Sequence, residues 1–130
     1  MPVGPVRVFI VDDSAPLTEV LAELIAEPGR VEIAGTADSA PRAIEAIRGA
    51  DADVIIVDLQ LKEGTGFDVV KAVRRFPGAE NMVIVLFTNH LSREFQKHAS
   101  EVGADFFLDK SKDHGKLIEL IQEKVRQRVA

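Results

Sequence analysis

Five short apolar runs alternate along the chain with five stretches in which apolar residues recur every three or four positions. The runs at residues 7–11, 31–34, 54–58, 82–87 and 106–108 are rich in β-branched and aromatic residues and predict strands. Leu17, Val20, Leu21, Leu24 and Ile25 mark the inner face of a first helix, and Ile44 and Ile47 that of a second. Val69, Val70 and Val73 do the same for a third over residues 67–76, and Phe95, Ala99 and Val102 for a fourth. Leu117, Ile118, Ile121 and Val125 belong to a last helix. Ser14, Ser39 or Asp38, and Ser92 are suited to N-caps, with Pro41 in the first turn of the second helix. Pro28-Gly29, Gly49, Pro77-Gly78 and Gly103 are stops.

Such alternation with short loops predicts right-handed βαβ units and a parallel sheet covered on both faces. The expected fold is a doubly wound α/β, flavodoxin-like (βα)5 domain with a five-stranded sheet in the order 2-1-3-4-5. Val54 to Val57 are apolar throughout, which suits the middle of that sheet. A single domain is expected over residues 7–130, after a flexible Pro/Gly-rich lead over residues 1–6, with no further domain beyond the last helix.

Composition narrows the function. With 130 residues, 46% of them hydrophobic, the chain can build one real core. Sixteen Lys and Arg against 21 Asp and Glu give a net charge of -5, which argues against direct nucleic-acid binding. Lys124, Arg126 and Arg128 read as a helix end that complements the macrodipole. The absence of cysteine excludes disulfides and thiolate metal sites and fits a reducing compartment. No run approaches the roughly 20 apolar residues of a membrane span, and the N-terminus lacks a basic signal region. The expectation is a cytoplasmic protein without membrane insertion.

The strand ends carry the candidate chemistry. Asp12-Asp13 follow the first strand, Asp58 the third, Thr88 the fourth and Lys110 the fifth. In a parallel sheet these ends share one edge, and the order 2-1-3-4-5 makes the four strands consecutive neighbours. Three gathered carboxylates repel one another, by about 4 kcal/mol for unit charges 4 Å apart at an effective dielectric of 20, so the cluster calls for a cation. Mg²⁺ (or Mn²⁺) suits oxygen ligands and keeps open positions for a phosphate oxygen. Lys110 and Thr88 can hold phosphoryl oxygens, and Asp58 is a candidate nucleophile toward phosphorus.

At Asp12-Asp13, Val57-Asp58 with the downstream Gly66, Thr88, and Phe107-Leu108-Asp109-Lys110, the sequence resembles the receiver domain of two-component response regulators, of the stand-alone chemotaxis-receiver kind. The likeness runs from about Arg7 to Val125. It implies that Asp58 accepts a phosphoryl group from a sensor histidine kinase or a histidine phosphotransfer protein, as a step of a phosphorelay. It further implies that Asp12, Asp13, Asp58 and the backbone carbonyl of Gln60 hold the metal, that Thr88 and Phe107 form a switch pair, and that Lys110 forms an ion pair at the site. Gln60 and His90 are expected to flank the route of water and so to set the phosphoryl lifetime. Any chemistry would be self-phosphorylation and slow autodephosphorylation at Asp58, without turnover of a separate substrate.

Two positions depart from the family pattern. Lys62 stands where many receivers have proline and reads as a solvent-facing loop lysine. Ser111 follows Lys110 where a cis proline is usual; a non-proline cis bond costs about 2.5–4 kcal/mol, so a trans peptide or a reshaped loop is expected. His98 and His114 read as surface residues. Phe106 and Phe107, being adjacent on a strand, must face opposite ways. One of them is expected at the face of the fourth helix, fifth strand and last helix, where the resemblance puts a downstream protein.

Competing readings are a phosphate-independent pseudo-receiver, and the receiver part of a longer DNA-binding or enzymatic regulator. The intact set Asp12, Asp13, Asp58, Thr88 and Lys110 counts against the first. An aspartate-nucleophile phosphatase would want a second acid where Gln60 stands. A flavin or nucleotide binder would want a phosphate loop where Asp12-Asp13 would repel the ligand.

Overall fold

The computed structural model describes residues 4–129. The five strands are β1 (Val6–Val11), β2 (Val31–Ala37), β3 (Val54–Val57), β4 (Val83–Thr88) and β5 (Phe106–Asp109). The five helices are α1 (Ala15–Ile25), α2 (Ala40–Arg48), α3 (Gly66–Val73), α4 (Arg93–Val102) and α5 (His114–Val129), and a short 3-10 turn covers Ala79–Asn81. The strands pair in parallel in the order β2-β1-β3-β4-β5, the expected topology. Each element lies within a few residues of its expected place; β1 begins one residue early, at the fully buried Val6, and β2 runs three residues longer. Of the expected flexible lead, residues 1–3 lie outside the described residues.

Strand alternation divides the core between the two faces of the sheet. Phe9, Val11, Ile55, Val57, Ile84 and Leu86 point to one face and pack with Ile47 of α2, Val69, Val70 and Val73 of α3, and Ala99 of α4. Val6, Val8, Ile10, Val54, Ile56, Val85 and Phe87 point to the other, against Leu21 and Ile25 of α1 and Leu117, Ile121 and Val125 of α5. All four residues of β3 are buried, as a strand in mid-sheet requires.

Helix faces are where the expectation needs correcting. In α1 only Thr18, Leu21 and Ile25 are buried, while Leu17, Val20 and Leu24 are 51%, 63% and 51% exposed. Thr18 takes an inner place because its hydroxyl donates to the Ser14 carbonyl at 2.9 Å, so it enters the interface without an unpaired polar group. In α4 only Ala99 is buried; Phe95 is 40% exposed and sits edge-on to Phe67 at 5.9 Å instead of facing the sheet. Ser14, Ser39 and Ser92 do cap α1, α2 and α4, and Gly103 ends α4 in the left-handed region at φ 108°.

Candidate functional site

The site is assembled by loops that leave the carboxyl ends of β1, β3, β4 and β5. Asp12 is anchored by its own amide, which donates to the Ala37 carbonyl at 3.0 Å, and its Oδ1 accepts the Ser14 amide at 2.9 Å. The Asp58 amide donates to the Val11 carbonyl at 2.9 Å, extending the β1–β3 ladder by one residue. Beyond Asp58 the chain closes a small loop, with the Gly66 amide on the Leu59 carbonyl at 2.9 Å and a bridge between Gln60 and Thr65. Gly66 passes so close to the acid that a Cβ there would press on the Asp58 carbonyl oxygen and lie 3.0 Å from its carbon. Only glycine fits that approach. Thr65 starts α3 with a capping box to Asp68, fixing the far side of the loop.

Asp12, Asp13 and Asp58 each offer a carboxylate oxygen within 4.8 Å of the others, Asp13 exposed and the other two buried. The Lys110 ammonium donates to Asp12 Oδ2 and, at 2.9 Å, to Asp58 Oδ2, with only 12% of its side chain exposed. Burial acts to lower the Lys110 pKa, but the hydrogen bonds to Asp12 and Asp58 outweigh it and hold the group above the usual lysine value. Lys110 is therefore charged at neutral pH. Three carboxylates and one ammonium leave the cluster at minus two. Asp58 Oδ1 is buried with no hydrogen-bond partner among the described residues. A buried acceptor left open inside a net-negative oxygen cluster is the donor set a hard divalent cation fits.

Thr88 is fully buried at the end of β4; its Oγ1 accepts the His90 amide at 3.1 Å and its carbonyl accepts the Lys110 amide at 2.9 Å. Gln60 and His90 are exposed, each two residues beyond a site residue. Phe107 packs against the α2–α3–α4 core, whereas Phe106 is 45% exposed beside a groove lined by Val83, Leu108 and Leu120. Lys62 is exposed and pairs with Asp38 at 3.1 Å, which holds the Asp38 carboxyl below its usual range. His98 and His114 are exposed, their rings set edge-on to Phe67 and Phe87.

For the loop that carries Lys110 the sequence expectation concerned only the peptide bond and left out the side chains of Asp109, Ser111 and Asp113. No cis peptide occurs among the described residues, so Lys110–Ser111 is trans as expected. The Ser111 hydroxyl and amide both donate to Asp109 Oδ1, at 2.6 and 2.8 Å. Together, the hydroxyl first, they hold the Asp109 carboxyl below its usual range. Asp113 Oδ2 accepts the Asp109 amide at 2.8 Å. The signal that could have revealed this is the spacing itself, since Asp and Ser two residues apart favour side chain to backbone turns.

The model of the response regulator receiver domain matches residues 8–122. The chain belongs to this family. Among curated relatives it is similar to the nitrate/nitrite response regulator protein NarP of Escherichia coli, with 33% identity over 91% of this chain and 54% of that protein. It is also similar to a protein-glutamate methylesterase/protein-glutamine glutaminase of Saccharophagus degradans, with 29% identity over 87% of this chain and 32% of that protein. The receiver thus spans about a third to about half of the length of such relatives. Among solved structures, a LuxR-family two-component response regulator from an Aurantimonas species aligns with a TM-score of 0.82 and 27% identity, over 98% of this chain and 88% of that one. A CheY-like receiver domain protein from Methanospirillum hungatei shares the fold with a TM-score of 0.79 and 24% identity, over 95% and 96% of the two chains. No described helix is long and apolar enough to cross a membrane.

Proposed function

We propose that this receiver is a phosphorylatable switch in which Asp58 accepts a phosphoryl group from a phosphohistidine on a sensor histidine kinase or a histidine phosphotransfer protein. The observation that carries the reading is the meeting of Asp12, Asp13 and Asp58 with the Lys110 ammonium at one sheet edge, with Asp58 Oδ1 left open. Asp12, Asp13, Asp58 and the Gln60 carbonyl would hold Mg²⁺ (or Mn²⁺). When bound, the ion neutralises the carboxylates and draws charge from the phosphoryl oxygens.

The chain's own residues do the rest. A carboxylate oxygen of Asp58 bonds to phosphorus as the bond from phosphorus to the donor imidazole nitrogen breaks, and the departing imidazole takes a proton from solvent. Lys110 stays charged and pairs with a phosphoryl oxygen, while the Thr88 hydroxyl keeps its proton to donate to another, since its oxygen only accepts from His90. Water later attacks the acyl phosphate, returning Asp58 and inorganic phosphate, so no separate substrate is turned over. As an acyl phosphate Asp58 carries about -1.5 to -2 in place of the carboxylate's single charge, and that charge now lies further out on the phosphoryl oxygens, where it draws Thr88 toward it, and Phe107 repacks on the core behind. The groove beside Phe106, between β5 and α5, is where a downstream protein would read the change. A cytoplasmic setting accords with a cysteine-free chain.

Coverage of the relatives favours a second reading at the level of the whole protein. This receiver would then be the input part of a longer DNA-binding or enzymatic regulator, as its span of about a third to about half of NarP and the methylesterase supports. In either case the test is intact mass after incubation with Mg²⁺ and acetyl phosphate. One phosphoryl group that requires Mg²⁺ and is lost in Asp58→Asn supports the reading; a wild type that binds Mg²⁺ yet takes up neither phosphoryl group nor beryllofluoride overturns it.

A further inference from the structure

We infer that Asp109, Ser111 and Asp113 are positioning residues for Lys110, fixing the backbone on both sides of it so that its ammonium reaches Asp58 and Asp12. A lysine carries its charge on a flexible four-carbon stem, so the place its ammonium reaches depends on how firmly its own backbone is held. Here every amide around it is committed. The Lys110 amide donates to the Thr88 carbonyl at 2.9 Å, the preceding amide of Asp109 to Asp113 Oδ2 at 2.8 Å, and the following amide of Ser111 to Asp109 Oδ1 at 2.8 Å. The Ser111 hydroxyl adds a second donor to the same oxygen at 2.6 Å.

The bonds form a closed ring. Asp113 holds the Asp109 amide with its carboxylate, and the Asp113 amide returns to the Asp109 carbonyl at 2.8 Å. The Asp113 carbonyl then accepts the Leu117 amide at 3.0 Å, in the first turn of α5. The last residue of β5 and the start of α5 are thereby locked to each other with Lys110 between them. Asp109 is buried, and its Oδ1 is engaged by two donors, in contrast to the open Oδ1 of Asp58. These acids therefore act on the chain rather than on a ligand. Ser111 braces this ring from beside it, since its hydroxyl stands at a position where a residue without one would leave Asp109 Oδ1 a single donor.

The kinetic test rests on the proposed phosphoryl transfer; a spectroscopic one does not. Under saturating Mg²⁺ and acetyl phosphate, Ser111→Ala is expected to lower the maximal rate of phosphorylation about tenfold, as a small misplacement of a charge-pairing group does. Mg²⁺ affinity by calorimetry and the far-UV circular dichroism should be unchanged, and Ser111→Thr should restore the rate. In a Lys110→Ala background, Ser111→Ala should cause no further loss, because the group it positions is gone. Equal slowing in both backgrounds, or none in either, would overturn the inference. Should Asp109→Ala fail to fold, the Ser111 series stands alone. If the wild type takes up no phosphoryl group, the receiver-switch reading falls, and the positioning is read from the carbon-13 resonance of the Lys110 ε-methylene. A move toward the surface lysines in Ser111→Ala supports it, and an unmoved resonance refutes it.

Discussion

Lys110 donates to Asp58 Oδ2 at 2.9 Å while it also pairs with Asp12, so one ammonium serves two carboxylates from different strands. Asp13 completes the cluster from an exposed position and has no ion-pair partner among the described residues. Its charge therefore adds repulsion that the fold alone does not offset.

Asp13→Asn should for this reason raise the unfolding free energy of the metal-free protein by about 1 kcal/mol, solvent screening reducing the full Coulomb figure. Mg²⁺, if held by the cluster as proposed, should stabilise the folded wild type by mass action and do so much less in the variant. Urea unfolding followed by far-UV circular dichroism, with and without Mg²⁺, measures both; the chain has no Trp or Tyr to report by fluorescence. Equal Mg²⁺ stabilisation of the two proteins would remove Asp13 from the ligand set.

Gly66→Ala should destabilise the fold by about 1–3 kcal/mol, the usual cost of forcing extra volume into a packed place. The atoms it meets are the Asp58 carbonyl and the Leu59 Cα, which are backbone and cannot swing aside. The loop must shift and carry Asp58 with it, so phosphorylation should slow as well. A variant with wild-type stability and rate would show that the loop does not hold the acid.

Stability should depend on pH through Asp109, whose carboxyl is held below its usual range by the Ser111 hydroxyl first and the Ser111 amide second, with Lys112 3.9 Å away as a weaker aid. A carboxyl with a depressed folded pKa contributes stability above its unfolded value, about 4, and loses it as pH falls through the folded value. The deficit of Ser111→Ala relative to wild type should therefore be present at pH 7 and shrink below about pH 4. A deficit that persists unchanged in acid would mean that the serine acts without the carboxylate.

Gln60 and His90 stand exposed two residues beyond Asp58 and Thr88, and the proposed switch would have them admit or exclude water. Gln60→Ala and His90→Ala are expected to change the dephosphorylation rate several-fold while leaving the fold intact, as followed by loss of the phosphorylated mass. Unaltered lifetimes in both would remove the two residues from the account.

The sheet was legible because β-branched runs such as Val54–Val57 admit little else; short crossovers made it parallel, and its order was the one common for a doubly wound domain of this size. The convergence of Asp12, Asp58 and Lys110 was legible for the same reason, since parallel strands end on one side. Helix faces were not. Leu17, Val20 and Leu24 look as apolar as Leu21 and Ile25, and the buried face includes Thr18, a polar residue whose hydroxyl is satisfied within the helix and so tolerates an inner place that hydropathy alone would not give it. The ring of Asp109, Ser111 and Asp113 was hidden because its bonds join side chains to nearby amides, which leave no periodic trace.

Whether phosphoryl transfer ends on Asp58 is read out by reductive trapping. Borohydride converts an acyl phosphate of aspartate into homoserine, which peptide mass mapping locates. After phosphorylation in Mg²⁺, homoserine is expected at position 58 alone and is expected to be absent without Mg²⁺. Trapping at Asp12 or Asp13 with position 58 unmodified would contradict it.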